Sequence, residues 1–147
     1  MIDVAGKRAT LRKAAARGFV RLRAETVSLI RRGQIAKGDV PGTARLAGIM
    51  AAKRTAEIVP LCHPVRLTHV AVDVTAVDAG VEIVARTAAR DRTGVEMEAL
   101  AAVAAAALTV YDMCKSLDRA AVIEEIKLLE KSGGRSGRFV RSKSAGR

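Results

Sequence analysis

Residues 94–114, GVEMEALAAVAAAALTVYDMC, are followed directly by Lys115 and put carboxylates near both ends of an alanine-rich stretch. If that stretch is helical, Glu98 and Asp112 lie within about 40° of one face but roughly 21 Å apart along the axis. The two cannot touch one atom. A single pocket uses both only if its ligand is long or a second subunit supplies one of them. Asp112 and Lys115 are three positions apart, share a face and can form a proton-transfer pair; an ordinary surface ion pair at a helix C-terminus reads the same way. The small side chains between Ala99 and Ala107 leave a helix apolar nearly all round, expected to be buried by its own sheet on one side and a partner chain on another.

Further chemistry-bearing positions lie outside this stretch. Lys131-Ser132-Gly133-Gly134 combines a cation, a hydroxyl and flexible backbone donors that could cradle a phosphate, or it is a plain glycine turn. Lys37-Gly38-Asp39 has the same two readings, with Asp39 explained equally well as a helix cap. His63 beside Cys62 could be a base, a ligand-binding donor or a partly buried histidine. No second histidine or asparagine signature accompanies Cys62 to mark it as a nucleophile. The two cysteines and two histidines complete no zinc pattern.

Periodicity supplies the elements that must position these groups. From 11 to 22 the chain alternates, with Ala14, Ala16, Gly18, Val20 and Leu22 on one side and a largely basic set on the other, which predicts a strand. A short helix follows from Glu25 to Arg32, stopped by Gly33. A second starts at Asp39 with Pro41 in its first turn and runs to about Ile58. Pro60 and Pro64 enclose an extended segment. Two alternating runs, 66–77 and 81–90, flank the turn 78–80 as a hairpin. A long helix then runs from beyond Gly94 to about Arg119, and 122–130 forms a last strand. The order β-(αα)-β-β-α-β predicts an α+β, ferredoxin-like fold: an antiparallel sheet with helices packed on one face. Residues 1–133 read as one domain and 134–147 as a basic, flexible Gly/Ser/Arg tail.

Composition narrows the function. At 147 residues the chain can bury one core without staples. Half of it is hydrophobic but only 2% aromatic, so few rings are available to stack on bases. No uncharged apolar run reaches the roughly 18 residues of a membrane span, and the start, MIDVAGK, has no signal-peptide order. A reduced cytoplasmic protein with no nucleic-acid or membrane partner is expected. Net charge is +11, of which the tail supplies five; the rest favours a polyanionic ligand.

LCHP at 61–64, GVEMEAL at 94–100, TVYDMCK at 109–115 and LLEKSGGRSG at 128–137 together resemble the molybdenum cofactor biosynthesis protein C family, the cyclic pyranopterin monophosphate synthases. KGDV at 37–40, TARLAGI at 43–49 and AAKRT at 51–55 extend the likeness over nearly the whole chain. The resemblance implies a lyase that rearranges 3',8-cyclo-7,8-dihydroguanosine 5'-triphosphate to cyclic pyranopterin monophosphate and releases pyrophosphate. It also implies a homohexamer, a trimer of dimers, with sites at subunit interfaces. On that resemblance Asp112, Lys115 and Lys131 are the catalytic set, with Asp112 the acid/base and Lys115 and Lys131 catalytic or phosphate-contacting cations. Leu61, Cys62 and His63 form a substrate-binding segment, Met97 and Glu98 contact the base-derived part, and Lys37, Lys53 and Glu96 are further polar positions. No cofactor or metal ligand is implied, and whether Mg²⁺ accompanies the triphosphate is open. The basic tail exceeds what the family pattern explains.

Two other classes fit the bare fold. A basic βαββαβ sheet also describes RNA-recognition modules, which stack bases on sheet aromatics; here the rings are Phe19, Tyr111 and Phe139, with no aromatic pair on one strand. A non-catalytic paralogue kept for assembly would have lost motif carboxylates or lysines, and none is missing.

Overall fold

The computed structural model describes residues 1–142. Its elements are β1 (Thr10–Arg21), α1 (Ala24–Arg31), α2 (Val40–Lys53), α3 (Thr55–Ile58), β2 (Leu67–Val77), β3 (Gly80–Asp91), α4 (Glu96–Cys114), β4 (Val122–Ser132) and β5 (Phe139–Val140). The strands form one antiparallel sheet in the order β2-β3-β1-β4-β5. The expected α+β ferredoxin-like arrangement is present, with β1 in the middle and α2 and α4 packed on one face.

The small face of β1 is what lets α4 lie so close to it. Ala14, Ala16 and Val20 are buried, and a Cβ added to Gly18 would sit 2.5 Å from Val103 Cγ1 on α4. On the other flank of α4, a Cβ on Gly48 of α2 would come within 2.8 Å of the Ala102 carbonyl oxygen. The two helices therefore approach almost backbone to backbone, and Val103 of α4 seats directly on the bare Gly18 of β1, which is the use of the small residues. Val103, Val110 and Ile83 are fully buried, each worth about 1.5–3 kcal/mol relative to exposure. By length and composition α4 is apolar enough to cross a membrane, but half of it is buried on the sheet and α2, as a core helix is.

Several boundaries differ from expectation, each for a local reason. The helix expected to run to Ile58 breaks at Arg54, where the Thr55 hydroxyl donates to the Ala51 and Ala52 carbonyls at 3.2 and 3.0 Å and takes up α2's last acceptors. The helix expected to reach Arg119 stops at Cys114. There Leu117 and Asp118 N–H groups both donate to the Cys114 carbonyl, and the buried Asp118 carboxylate accepts the Arg23 N–H at 2.7 Å, tying the turn to the start of α1. The segment between the prolines begins with a turn, closed by Cys62 N–H on the Val59 carbonyl, before it extends. Within the segment read as a tail, Phe139–Val140 pairs with Glu130 and Lys131 as β5, and the Arg141 side chain donates to the Leu128 carbonyl. Residues 143–147 lie outside the described residues.

Candidate active site

At the C-terminal end of α4, Asp112 is half exposed and bound by two ammonium groups. Lys115 Nζ lies 2.7 Å from Oδ1, and Lys37 Nζ lies 2.7 Å from Oδ2 and also donates to the Asp112 carbonyl at 2.9 Å. Lys37 is aimed by its loop. Ile35 is buried, the Gly38 N–H donates to the Ile35 carbonyl, Gly38 takes φ +101, and Asp39 caps α2 by accepting the Gly42 N–H. A non-glycine residue at Gly38 would be strained in this left-handed geometry. The two lysines, Lys115 first, pull the Asp112 carboxyl down to about 2, and Asp112 in turn raises Lys115. The group is thus a fixed anion whose partners are proton donors and anion binders.

The other end of α4 is the opposite environment. Glu98 is 2% exposed; Oε1 accepts from Cys62 Sγ at 3.8 Å, and Oε2 is buried without a hydrogen-bond partner among the described residues. Burial raises the Glu98 carboxyl, with Glu96 and Asp91 adding to it; burial and the adjacent Glu98 raise the Cys62 thiol. A small cavity of about 160 Å³ opens here beside Lys53, Thr55, Pro64, Val65 and Glu98. Glu96 folds back over Gly94, where a Cβ would fall 1.8 Å from its Oε2. Met97 and Leu61 are exposed, and His63 is half-buried between the Cys62 turn and Pro64.

Lys131 belongs to a third place, near the end of β4. It lines a groove of about 550 Å³ against the sheet, and its Nζ bonds Ser136 Oγ. The Gly133-Gly134 turn that follows is required: φ is +95 and +74, and a Cβ on Gly134 would fall 1.7 Å from Arg12 Nη1. Arg12 passes against this turn and donates to the Asp91 and Arg92 carbonyls at 3.3 Å, linking it to the strand end that leads into α4. Sequence reading missed Arg12; the glycine pair was the available signal, since two adjacent left-handed glycines imply something packed against them.

One chain therefore brings Lys37, Asp112 and Lys115 together, groups Glu98, Cys62 and Lys53 about 21 Å away along α4, and leaves Lys131 in the sheet groove. Among the described residues, no three His, Cys, Asp or Glu side chains cluster as metal ligands. The sheet offers no aromatic pair for bases: Phe19 stands on central β1 with the Arg17 guanidinium over it at 6.0 Å, and Phe139 is on edge strand β5.

Comparison with known proteins agrees with this arrangement of motifs. A family model described as the MoaC family matches residues 1–134. The chain is 61% identical over 143 residues to a cyclic pyranopterin monophosphate synthase of Thermomicrobium roseum, covering 96% of this chain and 86% of that one. Proteins of the same name from Roseiflexus sp. and Novosphingobium aromaticivorans are each 56% identical, over 142 and 137 residues, covering 95% and 93% of this chain and 90% and 87% of theirs. With the fold, the motifs and near-complete coverage in agreement, the chain belongs to the MoaC family.

Proposed function

We propose that this chain is a cyclic pyranopterin monophosphate synthase, a lyase of molybdenum cofactor biosynthesis. Its substrate is the cyclised dihydroguanosine triphosphate, and it releases pyrophosphate. The observation that carries the reading is the Lys37–Asp112–Lys115 cluster, which two distant chain segments assemble with both carboxylate oxygens engaged at 2.7 Å. Opening and reclosing the base-derived ring needs proton transfers next to developing charge, which paired ammonium groups can supply. In the phosphate step a sugar-derived hydroxyl gives up its proton to solvent and forms a bond to the α-phosphorus as the bond to the bridging oxygen breaks, and the pyrophosphate leaving group takes the electron pair. Lysines fixed before the reaction stabilise that charge. Glu98, with Met97, Leu61, Cys62 and His63 around it, suits the base-derived end, and Glu96 and Lys53 border it. The chemistry calls for no resident cofactor; Mg²⁺ carried on the triphosphate would count as substrate.

The working form is a cytoplasmic homohexamer, a trimer of dimers, with each site shared between subunits. Supporting this, Glu98 and Asp112 are too far apart in one chain to meet on a compact substrate. Leu46 and Met50 of α2 and Leu108 of α4 are also left exposed at 59%, 51% and 61%. Incubation of the purified protein with the cyclised dihydro-GTP tests the activity: pyrophosphate and a pterin are expected, and release of neither refutes it. Mixing Asp112→Asn with Glu98→Ala protein tests sharing, because re-formed mixed assemblies regain activity only if one site draws on two chains.

A further inference from the structure

Beyond the last residue of α4 the chain runs Lys115-Ser116-Leu117-Asp118-Arg119-Ala120, and in this stretch only Asp118 is buried, at 1% exposure. No glycine locks the helix end, as one commonly does. Lys115 is the C-cap of α4, so its ammonium is placed by a turn with a single buried anchor. That anchor is a carboxylate, although an apolar side chain would be buried at less cost. What a carboxylate adds is direction. Oδ2 accepts the Arg23 N–H at 2.7 Å, and Oδ1 faces Arg23 Nε at 3.5 Å. The Arg23 guanidinium also donates to the Leu117 carbonyl, so the turn is held from two sides by one residue.

Arg23 is itself the N-cap of α1, and its own side chain makes no capping bond there. Asp118 supplies the carboxylate at that helix end, where the dipole favours an anion. Buried Thr26, Val27 and Ile30 seat α1. At its far end the Gly33 and Gln34 N–H groups donate to the Ile30 and Leu29 carbonyls and turn the chain toward the Lys37 loop. The two cations that grip Asp112 therefore lie on segments joined at one point outside the cluster.

We propose that Asp118 is a positioning residue for the Asp112 cluster: through its bond to Arg23 it fixes the turn after α4, so that the Lys115 ammonium meets Asp112 Oδ1 in one geometry. This deepens the synthase reading and rests on it for the part Lys115 plays in turnover, whereas the placement of Lys115 is readable without turnover. A cation fixed before the reaction stabilises developing charge without reorganising, and misplacing such a group by about 1 Å costs up to about a hundredfold in rate.

The test compares full-length wild type with Asp118→Ala, Asp118→Asn and Asp78→Ala. The last removes an exposed carboxylate and its ion pair with Arg31 at the hairpin, and so controls for lost charge. Each protein is read twice: kcat and KM with the cyclised dihydro-GTP, and the rate at which trace acetic anhydride acylates Lys115 relative to exposed Lys7, by peptide mass spectrometry. Asp112 holds the Lys115 ammonium in its charged, unreactive form, so a Lys115 that drifts from Asp112 acylates faster. Asp118→Ala is expected to lower kcat about tenfold or more with KM within about threefold, and to speed Lys115 acylation about threefold. Asp118→Asn keeps an acceptor for the Arg23 N–H and should recover most of both, while Asp78→Ala matches wild type. Wild-type kcat and acylation in Asp118→Ala overturn the proposal, as does a loss of kcat with Lys115 acylation unchanged, or an Asn variant no better than Ala. If Asp118→Ala melts below the assay temperature, Arg23→Ala, which removes the bond to the Leu117 carbonyl, is measured to the same criteria. If wild type releases neither pyrophosphate nor pterin, the synthase reading falls and the acylation rates alone decide the proposal. Turnover by wild type with Lys115 acylation indifferent to Asp118 keeps that reading and removes the proposal.

Discussion

At the C-terminal end of α4, Asp112 stands half exposed between two ammonium groups, whereas about four turns earlier Glu98 is buried beside a thiol, with one oxygen unpartnered among the described residues. The same functional group is held as a fixed anion at one end and pushed toward its neutral form at the other. Two carboxylates with protonation set apart by environment are suited to different tasks. The exposed one holds the ammonium groups of Lys37 and Lys115 in place. The buried one can donate to, or accept from, a neutral heterocycle edge.

The sharpest way to break this contrast is to remove the anion. Asp112→Asn keeps the shape and releases both lysines, so product formation is expected to fall about a hundredfold or more. The melting temperature should barely move, because the pair is exposed. Activity within a few-fold of wild type would mean that the cluster is only a surface ion pair.

Next in size is the middle of α4, which fixes the spacing between the two ends. Gly18→Ala drives a methyl to 2.5 Å from Val103, and overpacking of this kind costs about 1–3 kcal/mol, readable in a denaturant melt. An unchanged midpoint would show that α4 can slide on β1, and the separation of the two sites would then not be rigid.

A smaller and more diagnostic effect is the pH dependence of stability, which should have opposite signs at the two ends. The Asp112 carboxyl is lowered on folding from 3.8 to about 2, so its contribution is full above pH 3.8 and is lost as pH falls through about 2. The Glu98 carboxyl is raised on folding above 4.5, so the folded state binds the extra proton and stability declines as pH rises from 4.5 through the folded value. Melts of Asp112→Asn and Glu98→Gln should therefore approach wild type at acid pH and part from it with opposite signs as pH rises, the first by a small loss because its pair is exposed. Glu98→Gln should gain on wild type toward neutral pH, and parallel curves for all three proteins would remove the contrast.

The smallest expected effect concerns the thiols. Burial holds Cys114 up at about 11, and burial with Glu98 raises Cys62 above 9.0. Both should react slowly with a disulfide reagent near neutral pH, since the thiolate is the attacking form. In Glu98→Gln the Cys62 rate should increase modestly while Cys114 stays the same. An equal increase at both would point to loosened packing instead of the loss of one charge.

Much of this was legible in the residue order. The β1 alternation, the hairpin around Asp78 and the capped start at Asp39 all depend on contacts within a few residues, and period and turn chemistry report those directly. Helix ends were read less well. Thr55 reaching back to Ala51 and Ala52 breaks one helix, and Asp118 bonding Arg23 ends another. The second of these is a contact across 95 positions that no local pattern encodes. Two-residue β5 was missed because its only reason to extend is the free edge of β4.

The site divides the same way. The sequence by itself singled out the candidate site residues, and the 14-residue spacing on one helix already forbade Glu98 and Asp112 from meeting within a chain. Only the tertiary structure decided that Lys37, 75 positions away, closes on Asp112, and that Arg12 lies against the Gly133-Gly134 turn. The reason is physical. Spacing along a regular element is set by backbone geometry, which sequence period reveals, whereas encounters between elements are set by how the small faces of β1, α2 and α4 let those elements pack.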